Sequence, residues 1–252
     1  MRDQTLQIRS ARVDVPGEAI AGHLYFYPAG LEQPLHEHDA AHISFLLLGS
    51  FEERVPARAD AFVLAGQNLV RKAGAQHGVR FGPRGALILS VHQSNGDGSN
   101  QAGRSDNWNA TGQIWAAAAG ARSRPVSLAL DSCPTPPKRP AREDPCPIPA
   151  WLIEARQVLL DRSSSLSLTD LALEFGVHRV HLSRQFERYF GARPTTMRLR
   201  TMAGQALSLV LSENQTLASS ALAAGFSDQA HFSRVLKSLC GMSPNQLCKL
   251  LT

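Results

Sequence analysis

"LTDLALEFGVHRVHLSRQFERYFGARP", residues 168–194, returns in altered form as "LASSALAAGFSDQAHFSRVLKSLCGMSP", residues 217–244. Gly176 aligns with Gly225, and the Ser183-Arg184 pair aligns with Ser233-Arg234 once a single extra residue is allowed in the second copy. Each copy reads as a short apolar helix, a glycine able to take a positive φ at a tight corner, and a second helix with a spaced apolar stripe. That is the helix-turn-helix plan, whose second helix crosses the first steeply enough to enter a major groove. The stripe of copy one is Leu182, Phe186 and Tyr189, and that of copy two is Phe232, Val235, Leu236 and Leu239. The outward faces hold Arg179, Val180, Ser183 and Arg184 in copy one, and Gln229, Ala230, Ser233, Arg234 and Lys237 in copy two. Guanidinium and amide groups pair with base edges and cations pair with phosphates, so both faces have the chemistry of duplex recognition. One such face alone is equally well explained as a solvated helix surface. Its repetition, with Ser-Arg at the same helical place, favours DNA.

Between and around the copies stand "GARP" and "GMSP", which close the two units, and the apolar "MAGQALSLVL", residues 202–211. With "GFSDQAHFSR" these stretches resemble the AraC/XylS family of transcription regulators over about residues 150–250. The resemblance implies that residues 195–212 form a connecting helix setting two recognition helices about one DNA turn apart. Carried over position by position, it implies base and backbone contacts at Arg179, Val180, Ser183 and Arg184, and at Gln229, Ala230, His231, Ser233 and Arg234. It also implies promoter DNA, RNA polymerase and a second copy of the chain as partners. Two departures stand out. Ser220 replaces the aliphatic residue found as Leu171 in copy one, and His178 takes an N-cap position usually held by Ser. A buried hydroxyl needs a partner, and a weaker cap costs ~1 kcal/mol.

Upstream, "PVSLALDSCPTPPKRPAREDPCPIP", residues 125–149, holds eight prolines, which remove backbone donors and forbid continued helix or central strand. It reads as a domain boundary with a solvated tether. Before it, residues 104–122 gain an alanine block and read as a helix or two, with Trp108 and Trp115 on one face. Residues 20–92 alternate short apolar runs with Gly and Pro punctuation, the pattern of a small all-β barrel or sandwich.

Within that β unit, "HEHDAAHISFLLLG", residues 36–49, crowds three histidines ahead of an apolar strand. The spacing from Gly30 through His36, His38 and His42 to Gly49 resembles the first cupin motif, with His42 standing where a Glu is usual. "GQNLVRKAGAQHGVRF" from Gly66 resembles the second motif through Gly74 and His77, with Lys72 and Phe81 as departures. His36 and His38, two apart on a strand, point the same way, and His77 comes from a neighbouring strand, so three imidazoles converge. Such a set suits a divalent transition metal such as zinc, nickel or iron, with His42 as a fourth nitrogen. It equally suits an organic effector held by hydrogen bonds or stacking. Because the barrel is fused to DNA-reading units, an effector pocket at His36, His38, His42 and His77 stands ahead of a bound metal, and catalysis stands behind both. "FEERV", residues 51–55, reads as the charged edge of a hairpin, since Glu52 and Glu53 point to opposite faces of a strand.

Composition agrees with this organisation. The chain has 252 residues, with 26 Lys and Arg against 21 Asp and Glu. Most of the excess lies in residues 150–252, which hold eleven basic and seven acidic side chains. No apolar run is long enough for a membrane span, the first residues lack a leader pattern, and four cysteines make no CxxC pair. The expectation is a cytoplasmic two-domain α+β protein that does not act on membranes. A cupin-like barrel (1–124) is followed by the linker (125–149) and a DNA-binding domain (150–252), with helix-turn-helix units at about 168–190 and 217–240. The expected function is sequence-specific transcription regulation in response to an effector in the barrel, with no certain cofactor and no enzymatic activity. The alternative is a metal-dependent cupin enzyme, an oxygenase or isomerase, fused to a DNA-binding domain.

Overall fold

The computed structural model describes residues 7–14, 21–56, 61–66, 68–92, 148–161 and 166–252. The strands are β1 (Arg9–Asp14), β2 (Ala21–Tyr27), β3 (Glu32–His36), β4 (His42–Arg54), β5 (Ala61–Leu64), β6 (Asn68–Arg71) and β7 (His77–His92). All pairings are antiparallel. β4 and β7 are long enough to serve two half-sheets. In one, β1, β2, the end of β7, the start of β4 and β6 lie side by side. In the other, β3, the start of β7, the end of β4 and β5 do. The fold class is the expected α+β one, an antiparallel β unit followed by an all-α region. β1, β3 and β6 are strands that the sequence pattern did not single out, because they are short and carry few apolar side chains.

A β-bulge decides what β4 presents to each side. Leu46 pairs with Ile88 but Leu48 pairs with Leu87, so β4 spends two residues where β7 spends one. An extra residue reverses the in-out alternation of everything after it. His42, Ser44 and Leu46 therefore face the interior, and so do Phe51 and Glu53, which uninterrupted alternation from His42 would turn outward. Phe45, Leu47 and Leu48 face out, into a different cluster from Leu46 and Phe51.

The helices are α1 (Ala150–Leu160), α2 (Leu168–Glu174), α3 (Arg179–Phe190), α4 (Pro194–Glu213), α5 (Leu217–Ala223), α6 (Gln229–Cys240) and α7 (Pro244–Leu251). α2–α3 and α5–α6 are the two helix-turn-helix units, and α4 connects them. Gly176 (φ 63°) and Gly225 (φ 94°) make the corners, and Gly191 and Gly241 cap α3 and α6 in the left-handed conformation. The second unit's extra residue lies before its N-cap: Ser227 intervenes, and Asp228 then accepts from His231 N–H at 2.6 Å. In the first unit His178 does cap α3, its Nδ1 accepting from Val180 N–H at 3.3 Å. Leu182, Phe186, Phe232 and Leu236 are fully buried, whereas Tyr189, Val235 and Leu239 are half-buried and Phe190 and Cys240 complete the inner faces. Among the described residues no helix is long and apolar enough to cross a membrane.

The helices do not hang free of the barrel. α4 lies on the outer face of the first half-sheet, and one hydrophobic cluster joins Leu24, Phe26, Leu48 and Leu89 to Ala203, Ala206, Leu207 and Leu211. Small residues permit the approach: a Cβ built on Gly204 would lie 3.2 Å from the Gly49 backbone nitrogen. Three arginines donate across the seam to backbone carbonyls: Arg9 to Leu211 (2.7 Å), Arg200 to Ala65 (3.0 Å) and Arg84 to Leu160 (2.6 Å). Arg156 packs over the rings of Phe62 and Phe190. The expected helices at 104–122, with Trp108 and Trp115, and all but the last two residues of the 125–149 linker lie outside the described residues.

Candidate nucleic-acid interface and histidine cavity

The two recognition helices present equivalent positions. Arg179, Val180 and Arg184 on α3, and Gln229, Ala230, Arg234 and Lys237 on α6, are exposed. Ser183 and Ser233 are half-buried at the edge of each face. His231 is also half-buried, its ring edge-on to Phe226 and its Nδ1 3.2 Å from Ser227 Oγ. None of these side chains lies under the barrel, so both faces stand open at once.

Inside the barrel, a cavity of about 220 Å³ lies between the half-sheets. His36, His38 and His77 meet at its mouth, with one ring nitrogen from each lying within 4.8 Å of the others. His36 and His77 are register partners on β3 and β7. His38 lies beyond the end of β3, in the turn before β4, rather than on the strand expected for it. Gly74 N–H donates to the His38 carbonyl at 2.9 Å and holds that turn against the loop leading into β7. The ring still converges, because a loop pinned at its backbone positions a side chain as firmly as a strand. His42, on β4, is buried with its ring centroid 4.4 Å from that of His38, but it does not join the group of three.

Hydrogen-bond partners decide which nitrogen each ring turns inward. His36 Nδ1 lies 2.8 Å from the Pro34 carbonyl and His42 Nδ1 3.3 Å from the Ala40 carbonyl. A carbonyl only accepts, so each Nδ1 carries a proton, and in the neutral ring it is Nε2 that holds the lone pair. His77 Nδ1 lies 3.1 Å from Glu53 Oε1, and Glu53 is in turn paired with Arg71 Nη2 at 2.5 Å. His77 Nε2 then stands 3.1 Å from His38 Nε2. Burial and the neighbouring imidazoles of His42, His36 and His77 push His38 down to about 4, so it is neutral near pH 7. Burial alone would raise the Glu53 carboxyl; His77 and Arg71 outweigh it and hold Glu53 below its ordinary value.

Glu53 and Arg71 are the residues that sequence reasoning missed. "FEERV" was expected at an exposed hairpin edge, and Glu52 fits, pairing with Arg80 on the surface. Glu53 does not: it is 7% exposed and stands behind His77. Opposite strand faces were foreseen for the two carboxylates; the bulge that turns Glu53 inward has no signature in the sequence.

A helix-turn-helix domain family model matches residues 171–249, the span from α2 to α7. No curated protein matches the sequence. Among solved structures, the DMSP lyase DddQ of Ruegeria pomeroyi DSS-3 is 20% identical over 39% of this chain and 57% of its own, at a TM-score of 0.32. KdgF from Halomonas sp. is 16% identical over 36% of this chain and 81% of its own, at 0.31. An oxalate decarboxylase from Bacillus subtilis is 21% identical over 37% of this chain and 26% of its own, at 0.30. This chain thus spans little more than half the length of the first of these.

Proposed function

We propose that this chain, whose residues 171–249 match a helix-turn-helix domain family, is an AraC-type, sequence-specific transcription regulator that responds to an effector bound in its barrel. The DNA-reading half rests on one observation above all: α3 and α6 expose matching polar faces from the two ends of a single 20-residue connecting helix. A chain so built can address two adjacent major-groove segments on one side of a duplex. Arg184 and Arg234 are the side chains assigned to base edges, and Lys237 is assigned to phosphate.

The barrel's part is to receive the signal, and its donor set fits a divalent transition metal. Four-coordinate zinc with nitrogen ligands at about 2.0–2.1 Å sets neighbouring nitrogens about 3.3 Å apart, close to the 3.1 Å between His38 and His77. His36 is anchored through Nδ1, and His77 Nδ1 stands 3.1 Å from Glu53, the carboxylate–histidine pairing that orients a ligand and raises its basicity. His36, His38 and His77 would hold the ion, which when bound supplies a Lewis-acidic position facing the cavity. The protein's own part is to keep Nε2 lone pairs directed inward and to shield them with Phe51, Phe81 and Ile88.

The experiment is to select duplexes from a randomised pool, then measure binding anisotropy with zinc-loaded and chelator-treated protein at fixed salt. The reading expects a preferred sequence, metal bound near one per chain, loss of that metal in the His36→Ala/His38→Ala variant, and a change in duplex affinity on loading. No sequence preference would sink the regulator; no metal in either protein would leave the histidines to an organic effector alone.

A further inference from the structure

Arg71 is in an unusual position for a cation. It lies directly across from His42 in the β4–β6 register, lines the same cavity as the histidines, and is 8% exposed. Its Nη2 donates to Glu53, while its buried Nε–H has no acceptor among the described residues. A buried donor without an acceptor is a place where an incoming group gains by hydrogen bonding. Charge points the same way. The described cavity lining holds four imidazoles and one guanidinium, and no carboxylate. Glu53, behind the lining, balances Arg71. A divalent ion on three neutral histidines would therefore add two positive charges that nothing in the lining offsets, and buried charge is stable only when paired.

The rest of the cavity describes the body of the ligand. Tyr27 stacks on Phe81, with centroids 4.2 Å apart and planes 9° from parallel, and Phe51, Val79 and Ile88 extend the apolar wall. Ser44 and Ser90, register partners 3.2 Å apart through their hydroxyls, form a polar patch on β4 and β7. A cavity of about 150 Å³ accepts benzene, so about 220 Å³ accepts a ring or short branched chain bearing one polar head.

We infer that the effector is a small monocarboxylate with a compact apolar body, its carboxylate held between the histidine cluster and the Nε–H of Arg71. The inference rests on the histidine cavity being the effector site, and in its full form on the metal reading above. It goes beyond both in naming the ligand's charge and the residue that selects it. A neutral isostere would leave Arg71 Nε–H and the added positive charge unmatched, which is how a polar site rejects a near-identical molecule.

Calorimetry with cyclohexanecarboxylate and its neutral amide, on zinc-loaded and on chelator-stripped full-length protein, tests this. The acid is expected to bind the loaded protein at least tenfold more tightly than the amide, and to keep a smaller preference in the stripped protein. Arg71→Met removes the guanidinium but leaves Glu53 unpaired, so Arg71→Lys, which preserves the charge and lacks Nε–H, is the companion variant. Both are expected to lose acid affinity at least tenfold while amide binding is unchanged; zinc content is measured alongside. Equal affinity for acid and amide, no binding of either, or full acid affinity in a folded Arg71→Lys protein would overturn the inference. If the wild-type protein takes up no zinc, the metal reading fails separately. An Arg71-dependent preference for the acid in that protein would still sustain the carboxylate assignment, and its absence would overturn it.

Discussion

Ser220 is fully buried on α5, and its hydroxyl has no hydrogen-bond partner among the described residues. Its counterpart Leu171 fills the same place in the first unit with hydrocarbon. Burying a hydroxyl without a partner costs about 1–3 kcal/mol, and alanine is also the better helix former. Ser220→Ala is therefore expected to stabilise the protein by ~1 kcal/mol, read as a higher urea midpoint at unchanged slope. A lower midpoint would mean that the hydroxyl is satisfied. Glu53 presents the opposite case, a buried polar group with two partners. Glu53→Gln keeps the shape but removes the charge that orients His77 and neutralises Arg71. Loss of such an outer-shell carboxylate is expected to weaken zinc binding about 10–100-fold, measured by competition with a chromophoric chelator. Unchanged affinity would leave Glu53 only its ion pair with Arg71.

At the scale of elements, the recognition helices were legible in the sequence and β4 was only partly so. α3 and α6 announce themselves because a helix writes its buried stripe at regular intervals, and the duplication writes it twice. Even the exchange of Tyr189 for Phe190 as the innermost aromatic is a matter of one position at a helix end, where the stripe turns. β4 was recognised as a strand, and His36, His38 and His77 were brought together as expected. The inward turn of Glu53 was not legible, because the bulge arises from pairing with β7, some forty residues away in sequence. The helices also make the sharper prediction about DNA. Arg184→Ala or Arg234→Ala is expected to cost about 1–3 kcal/mol on the selected duplex and to relax preference at one base position, whereas Lys237→Ala weakens all sequences and lowers the salt slope by about one. Equal losses on selected and random duplexes for the arginine variants would reassign them to phosphate.

At the scale of the whole molecule, α4 lies against the barrel, and that contact offers the cavity a route to the helices assigned to DNA. β4 and β7 line the cavity with one face and hold α4 with the other: His42, Ser44, Ile88 and Ser90 look inward, while Phe45, Leu48, Leu87 and Leu89 look toward the helix. The sequence hid this contact because Leu48 and Leu207 read equally well as parts of separate cores. The small residues of "MAGQALSLVL" were the available sign, since a helix that must lie on a sheet's backbone needs room to do so. A coupling between sites requires an element whose placement both sites bias, and α4 meets that requirement by its place, against the barrel and with one helix-turn-helix unit at each end. Gly204 is the position at which to break it. An added Cβ would already crowd the Gly49 backbone nitrogen at 3.2 Å, and the two γ-carbons of valine need space that the backbone of β4 occupies. Gly204→Val is thus expected to lift α4 from the barrel while leaving the histidines and both recognition faces intact. Thermal unfolding of the variant should separate into two transitions, zinc should still bind, and the selected duplex should still be preferred. Loading the barrel with zinc should then no longer alter duplex affinity, a change expected only of the unmodified chain. If zinc still alters that affinity in a variant whose two transitions show the halves uncoupled, the signal travels by a path other than α4.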